Sequence, residues 1–126
     1  QRQMCIRDRI RRDIMRECLR NEHSWDLCKS FDGASPCSAI RAVTDIGHPV
    51  KGDIWLEVDG ERRQTGDIDN LIWDVPEIIS RLSALSRLEP GDLIYTGTPK
   101  GPASVKPGNT VYGHVDGVGD LMVKIV

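Results

Sequence analysis

A β-rich α+β domain is what this 126-residue sequence predicts, and three observations carry the prediction. In DIWLEVDGERRQTG, Ile54, Leu56 and Val58 alternate with Trp55 and Glu57 ahead of Asp59 and Gly60. Period-two alternation next to a dipeptide that tolerates positive φ makes a hairpin with a two-residue primed turn. In KPGNTVYGHVDGVGDLMVKIV, Pro107 and Gly108 lead into a strand over residues 110–115, a turn over 116–119 and a last strand over 121–126. Between these hairpins the apolar period lengthens to that of a helix, so strands dominate but do not account for everything.

The N-terminal part is the most charged. Seven of the seventeen basic residues are arginines within the first twenty positions. A solvated arginine-rich helix, or a frayed end, accounts for such a run. The chain starts at Gln1, and MCIRDR resembles translated sequencing-adapter read-through. Residues 1–10 are therefore set apart as an N-terminal segment of doubtful origin, with the domain over residues 11–126. Further on, DVPEIISRLSALSRLEPGD predicts a short helix. Asp74 caps it, Glu77 closes a capping box, and Pro76 stands in the first turn, where its missing N–H costs nothing. Ile78, Ile79, Leu82 and Leu85 share one helical face. Pro90 and Gly91 then turn the chain into a strand over DLIYTG, residues 92–97. Strands that reach both ends of so short a chain leave open edges, so upstream sequence, a dimer, or both are expected.

Composition excludes several classes. A hydrophobic fraction of 39% and a charged fraction of 29% suit a globular protein. A net charge of −2 gives no global attraction to nucleic acid or an anionic membrane. No apolar run reaches membrane-spanning length, and QRQMCIRDRIRR lacks the apolar core of a secretory signal. The four cysteines form no C-x-x-C pair, so reduced thiols in a cytoplasmic protein are expected.

Three segments carry candidate chemistry. The first is TGTPKG, residues 96–101: threonine hydroxyls and successive backbone N–H groups make an anion-binding concavity, and Gly97 permits close backbone approach. The same residues also suit an ordinary loop in which hydroxyls satisfy local backbone groups. The second is LCKSFDGASPCSAI, where Lys29 offers a point charge and a proton; on residue type alone a surface lysine fits equally. The third is RDRIRRDIMREC, where Asp8 and Asp13 are either metal carboxylates or partners in helix-surface pairs, Asp13 with Arg16 among them. His23, His48 and His114 form no metal-ligand or catalytic spacing.

Taken in order, RRDIM, KSFDGASPCSAI, GDIWLEVDGERRQTGDIDNLIWDVPEIISRLS, LEPGDLIYTGTPKG and the final hairpin resemble the C-terminal part of the fumarylacetoacetate hydrolase family. GHPVKGDIW and NLIWDVPE are most similar to its fumarylpyruvate hydrolase branch. The resemblance implies part of a β-roll, a homodimer, a Mg2+ or Mn2+ cofactor, and hydrolysis of a carbon–carbon bond in an acylpyruvate-type diketo acid of aromatic catabolism. It implies that Lys29 stabilises the developing enolate, that Thr98 with Gly97 grips the substrate carboxylate, and that Asp8 falls at a metal-ligand position. Met15 departs from the family, where a glutamine is common. The family's Glu-x-Glu metal pair and its His and Glu dyad have no counterpart here, so this chain alone is expected to be inactive. The rivals are an oxaloacetate decarboxylase or diketo-acid isomerase of the same family, and a non-catalytic anion-binding or dimerisation module.

Overall fold

A computed structural model describes residues 2–3, 9–101 and 104–126. Its centre is a four-stranded antiparallel sheet in the order β4-β3-β5-β6, built from β3 (Asp53–Val58), β4 (Glu61–Asp67), β5 (Thr110–Val115) and β6 (Gly119–Lys124). A pair of two-residue strands, β1 (Arg2–Gln3) and β2 (Arg41–Ala42), stands apart from it. Helices α1 (Arg12–Asn21), α2 (Asp26–Lys29), α3 (Val43–Ile46) and α4 (Val75–Leu85) complete the α+β architecture.

Both expected hairpins form. In the first, Val58 pairs with Glu61 across Asp59 and Gly60, whose φ values are 51° and 82°. Two successive positive φ angles match the twist of the flanking strands, which is why Asp-Gly serves here. The Asp59 carboxylate also accepts from Thr110 N at 2.7 Å and from Asn109 Nδ2 at 2.6 Å, so the turn fastens β3 to the start of β5. In the second hairpin the first strand forms over the predicted residues, but the last is shifted by two: Val115 pairs with Gly119, and β6 runs from Gly119 to Lys124.

The register decides what each face carries. Ile54, Leu56 and Val58 stand opposite Val115, Gly113 and Val111, which places them on one face. Leu56, Val58, Val115, Val118 and Ile125 are buried there, and Ile46, Ile54 and Ile68 pack around Val115 and Val118. Cys18 in α1, Cys28 in α2 and Ala34 shortly after it are also buried. Cys18, Cys28 and Cys37 are free thiols.

Helix α4 matches its expectation at the N-terminus. Glu77 N donates to Asp74 at 2.8 Å and Asp74 N donates to Glu77 at 3.1 Å, closing the capping box, with Pro76 in the first turn. Leu85 does not join the apolar face; it is 84% exposed, while Ile78, Ile79 and Leu82 are half-buried. The strand expected over residues 92–97 is absent. DLIYTG has strand composition, but no described strand runs beside it, and a strand without a ladder partner gains nothing from its propensity. Residues 90–101 run instead as an irregular segment held by local bonds, including Glu89 N to Asp92 Oδ2 at 2.8 Å.

Candidate functional site

Strand β4 contains no apolar side chain, yet its partner β3 needs something against Leu56 and Ile54. The pairing solves this with a bulge. Glu57 faces Arg62 and Leu56 faces Gln64, so Arg63 is the extra residue. A bulge re-aims the side chains beyond it. Here it turns Gln64 and Gly66 onto the apolar face, opposite Leu56 and Ile54. Gln64 is only 3% exposed.

A buried amide must find partners, and Gln64 finds them in the threonine-glycine segment. Gln64 Nε2 donates to the Pro99 carbonyl at 2.9 Å, and Thr98 Oγ1 donates to Gln64 Oε1 at 3.3 Å. The segment lies directly on β4. A Cβ at Gly66 would come within 3.1 Å of the Pro99 ring, and one at Gly101 would come within 2.9 Å of the Arg63 carbonyl oxygen. Gly101 has φ 93° and Gly97 φ 102°, values that favour glycine at both ends of the loop. No atom would obstruct a Cβ at Gly97, so its conformation, rather than close packing against the protein, accounts for glycine there.

Thr98 and Gln64 open onto a cavity of about 410 Å³, which Arg9 and Asp13 also line and whose apolar wall includes Leu56 and Val123. Arg9 is held at Gly33 by two side-chain donors to its carbonyl, through Nε at 3.0 Å and through Nη2. Arg11 and Arg12 line the same space, giving it basic character. Asp13 is in the first turn of α1, paired with Arg11 at 3.6 Å rather than with the expected Arg16. Its carboxyl is held below the usual range, first by the Ile14 backbone N–H.

The sequence-derived site is therefore gathered only in part. Thr98 lines the 410 Å³ cavity. Gly97 lies beside it, facing a broader groove between α4, residues 88–100 and the sheet. Lys29 ends α2, is exposed, and lines neither space. Asp8 lies outside the described residues. Among the described residues no group of three His, Cys, Asp or Glu side chains is placed to hold a metal ion. Gln64 was missed as a site residue. Its signal was the wholly polar β4 opposite an apolar strand, which obliges one polar side chain to face inward.

The geometry defines a class: a β-sheet domain with a basic, half-apolar cavity and a hydroxyl-bearing loop pinned to its edge. The family model described as fumarylacetoacetate hydrolase C-terminal matches residues 4–126, and the chain belongs to that family. It is 39% identical over 122 residues to the mitochondrial oxaloacetate tautomerase FAHD1 of Rattus norvegicus, covering 97% of this chain and 55% of that protein. It is 38% identical over 118 residues to the fumarylpyruvate hydrolase of a Ralstonia species, covering 94% and 61%. The crystal structure of fumarylpyruvate hydrolase from Pseudomonas aeruginosa, in complex with Mn2+ and pyruvate, superposes with a TM-score of 0.88 at 42% identity, covering 93% of this chain and 50% of that one. The chain thus spans about half the length of the relatives it matches.

Proposed function

We propose that the whole protein is a metal-dependent hydrolase that cleaves a carbon–carbon bond in an acylpyruvate, with fumarylpyruvate-like substrates foremost. The observation that carries this is the Thr98 hydroxyl, hydrogen-bonded to Gln64 and lining a cavity of about 410 Å³ with arginines around it. A hydroxyl, a loop backbone and basic surroundings suit the carboxylate of a 2-keto acid. The relative with Mn2+ and pyruvate supports both this ligand class and Mg2+ or Mn2+ as the cofactor. The described residues do not themselves make a metal site, so the roles assigned to them are binding and orientation. Thr98 and Gly97 hold the carboxylate end. Lys29 supplies positive charge to the reacting end, a role that requires its exposed side chain to reach the substrate. A homodimer and a cytoplasmic location belong to the same proposal.

The 39% identity to an oxaloacetate tautomerase supports a second reading, in which the same grip holds oxaloacetate and the reaction moves a proton without breaking the carbon skeleton. A substrate panel with the whole protein separates them: release of pyruvate from acylpyruvates supports the hydrolase, and enol–keto interconversion of oxaloacetate without such release supports the tautomerase. In either case Thr98→Val weakens pyruvate or oxalate binding about tenfold, the value of one hydrogen bond to a charged group. Unchanged binding in a folded Thr98→Val variant would remove Thr98 from the site. Binding that is indifferent to Mn2+ would favour a non-catalytic anion-binding module.

A further inference from the structure

We propose that Gln64 is a positioning residue of the anion grip: its one carboxamide holds the Pro99 carbonyl and the Thr98 hydroxyl together and sets the terms on which a ligand carboxylate captures the Thr98 proton. This rests on the reading of Thr98 as the carboxylate contact.

The donor and acceptor roles follow from chemistry. The Pro99 carbonyl can only accept, so the Gln64 NH2 group must face it, at 2.9 Å. That places Oε1 toward Thr98, and because Oε1 can only accept, the Thr98 hydroxyl must donate, at 3.3 Å. Thr98 has a single hydroxyl proton, and a ligand carboxylate also only accepts. Carboxylate binding through that proton therefore requires it to swing from Gln64 to the ligand. The 3.3 Å separation exceeds the usual O–H···O distance of about 2.7–2.8 Å, so the hydroxyl is aimed without being tightly held. The second bond, to Pro99, stays in place during the swing and keeps the loop on β4, where Gly66 and Gly101 already allow close approach. Because Gln64 is only 3% exposed, water cannot readily replace either partner.

Gln64→Glu tests this in the whole protein. A neutral glutamic acid reproduces both bonds, with its O–H donating to Pro99 and its carbonyl accepting from Thr98. An ionised glutamate cannot donate to Pro99 and sets a negative charge behind the grip. KM for the acylpyruvate substrate is expected to rise about tenfold or more at neutral pH and to return toward the wild-type value as pH falls, with kcat within about twofold. Gln64→Met keeps the volume and loses both bonds, so its KM rises about tenfold at every pH. A role limited to filling space would leave Gln64→Met near the wild type and give Gln64→Glu no recovery in KM. In the unmutated protein, titration with pyruvate is expected to shift the Gln64 side-chain amide signals in nitrogen–proton correlation spectra. This measurement stands even if a variant fails to fold.

Thr98→Val run in parallel separates the two ideas. If Thr98→Val raises KM while folded Gln64 variants stay within about twofold of the wild type, the role of Gln64 is overturned and that of Thr98 survives. Static Gln64 signals under saturating pyruvate overturn it as well. If Thr98→Val changes nothing, the carboxylate contact fails and the inference about Gln64 fails with it.

Discussion

His114 shows how much one side chain on the outer face of the sheet can be constrained. Its Nδ1 lies 2.6 Å from Asp120 and its Nε2 lies 2.8 Å from Asp116, while the ring stacks on Trp55 at 5.1 Å. Carboxylates only accept, so both ring nitrogens must carry protons, and the doubly protonated imidazolium is the form that satisfies the site. The hydrogen bond to Asp120, and then that to Asp116, raises the His114 pKa above its ordinary 6.5. The bond to His114 lowers both aspartates below 3.8. Tyr112, which also bonds to Asp120, is raised. A histidine whose folded pKa is raised contributes stability that is fully present below the unfolded value and lost as pH rises through the folded one. For the aspartates the contribution is present above 3.8 and lost as pH falls through their depressed values. Stability is therefore expected to be greatest between the ordinary aspartate and histidine values of 3.8 and 6.5 and to decline as pH rises from 6.5 through the raised His114 value. Urea melts of His114→Asn across this range should show a flatter alkaline limb. Parallel curves for variant and wild type would show that the cluster is not coupled to folding.

Among the elements, helix α4 and the two hairpins rest on local chemistry, and that is why they could be read in advance. The Asp74 and Glu77 capping box, Pro76 in the first turn, and Asp59 with Gly60 each act within four residues. Asp74→Ala removes the acceptor for Glu77 N and is expected to cost about 1 kcal/mol in chemical denaturation, whereas Asp74→Asn keeps an acceptor and costs less. Equal losses in the two variants would mean that the cap is not what holds this end. What could not be read was set by distant pairing. The strand-like composition of DLIYTG says nothing about whether a neighbouring strand exists. The Arg63 bulge arises only once β4 must fit β3, and it alone brings Gln64 under Thr98, 34 residues away. Thr98, the proposed carboxylate contact, could be singled out as a candidate because its motif concentrates hydroxyls and glycines. Lys29 was legible only as a motif letter, and in the fold it stands exposed at the end of a four-residue helix.

The whole molecule is underpacked for its mass. It exposes 9008 Å² at 14.1 kDa, against about 6,700 Å² for a compact monomer of that size. The difference, roughly 2,300 Å², is comparable to the total area buried in a stable protein–protein interface. Several large apolar side chains stand exposed: Ile72 is 94% exposed, Val50 74% and Met122 69%. Ile72 and Trp73 stand at the groove beside α4, while Met122 is on the outer face of the sheet, so more than one region asks for cover. At about 25 cal/mol per Å² of apolar area buried, covering these exposed apolar side chains favours association. The 126-residue chain by itself is accordingly expected to sediment as dimers or larger species at micromolar concentration and to enhance the fluorescence of a hydrophobic dye. Association that persists at high salt while dye binding falls would identify apolar burial as its cause, since screening weakens charge pairs and leaves apolar contacts intact. A dye-silent monomer with one sharp unfolding transition would instead mean that the sheet and its small core stand alone, and the argument for a covered face would fall.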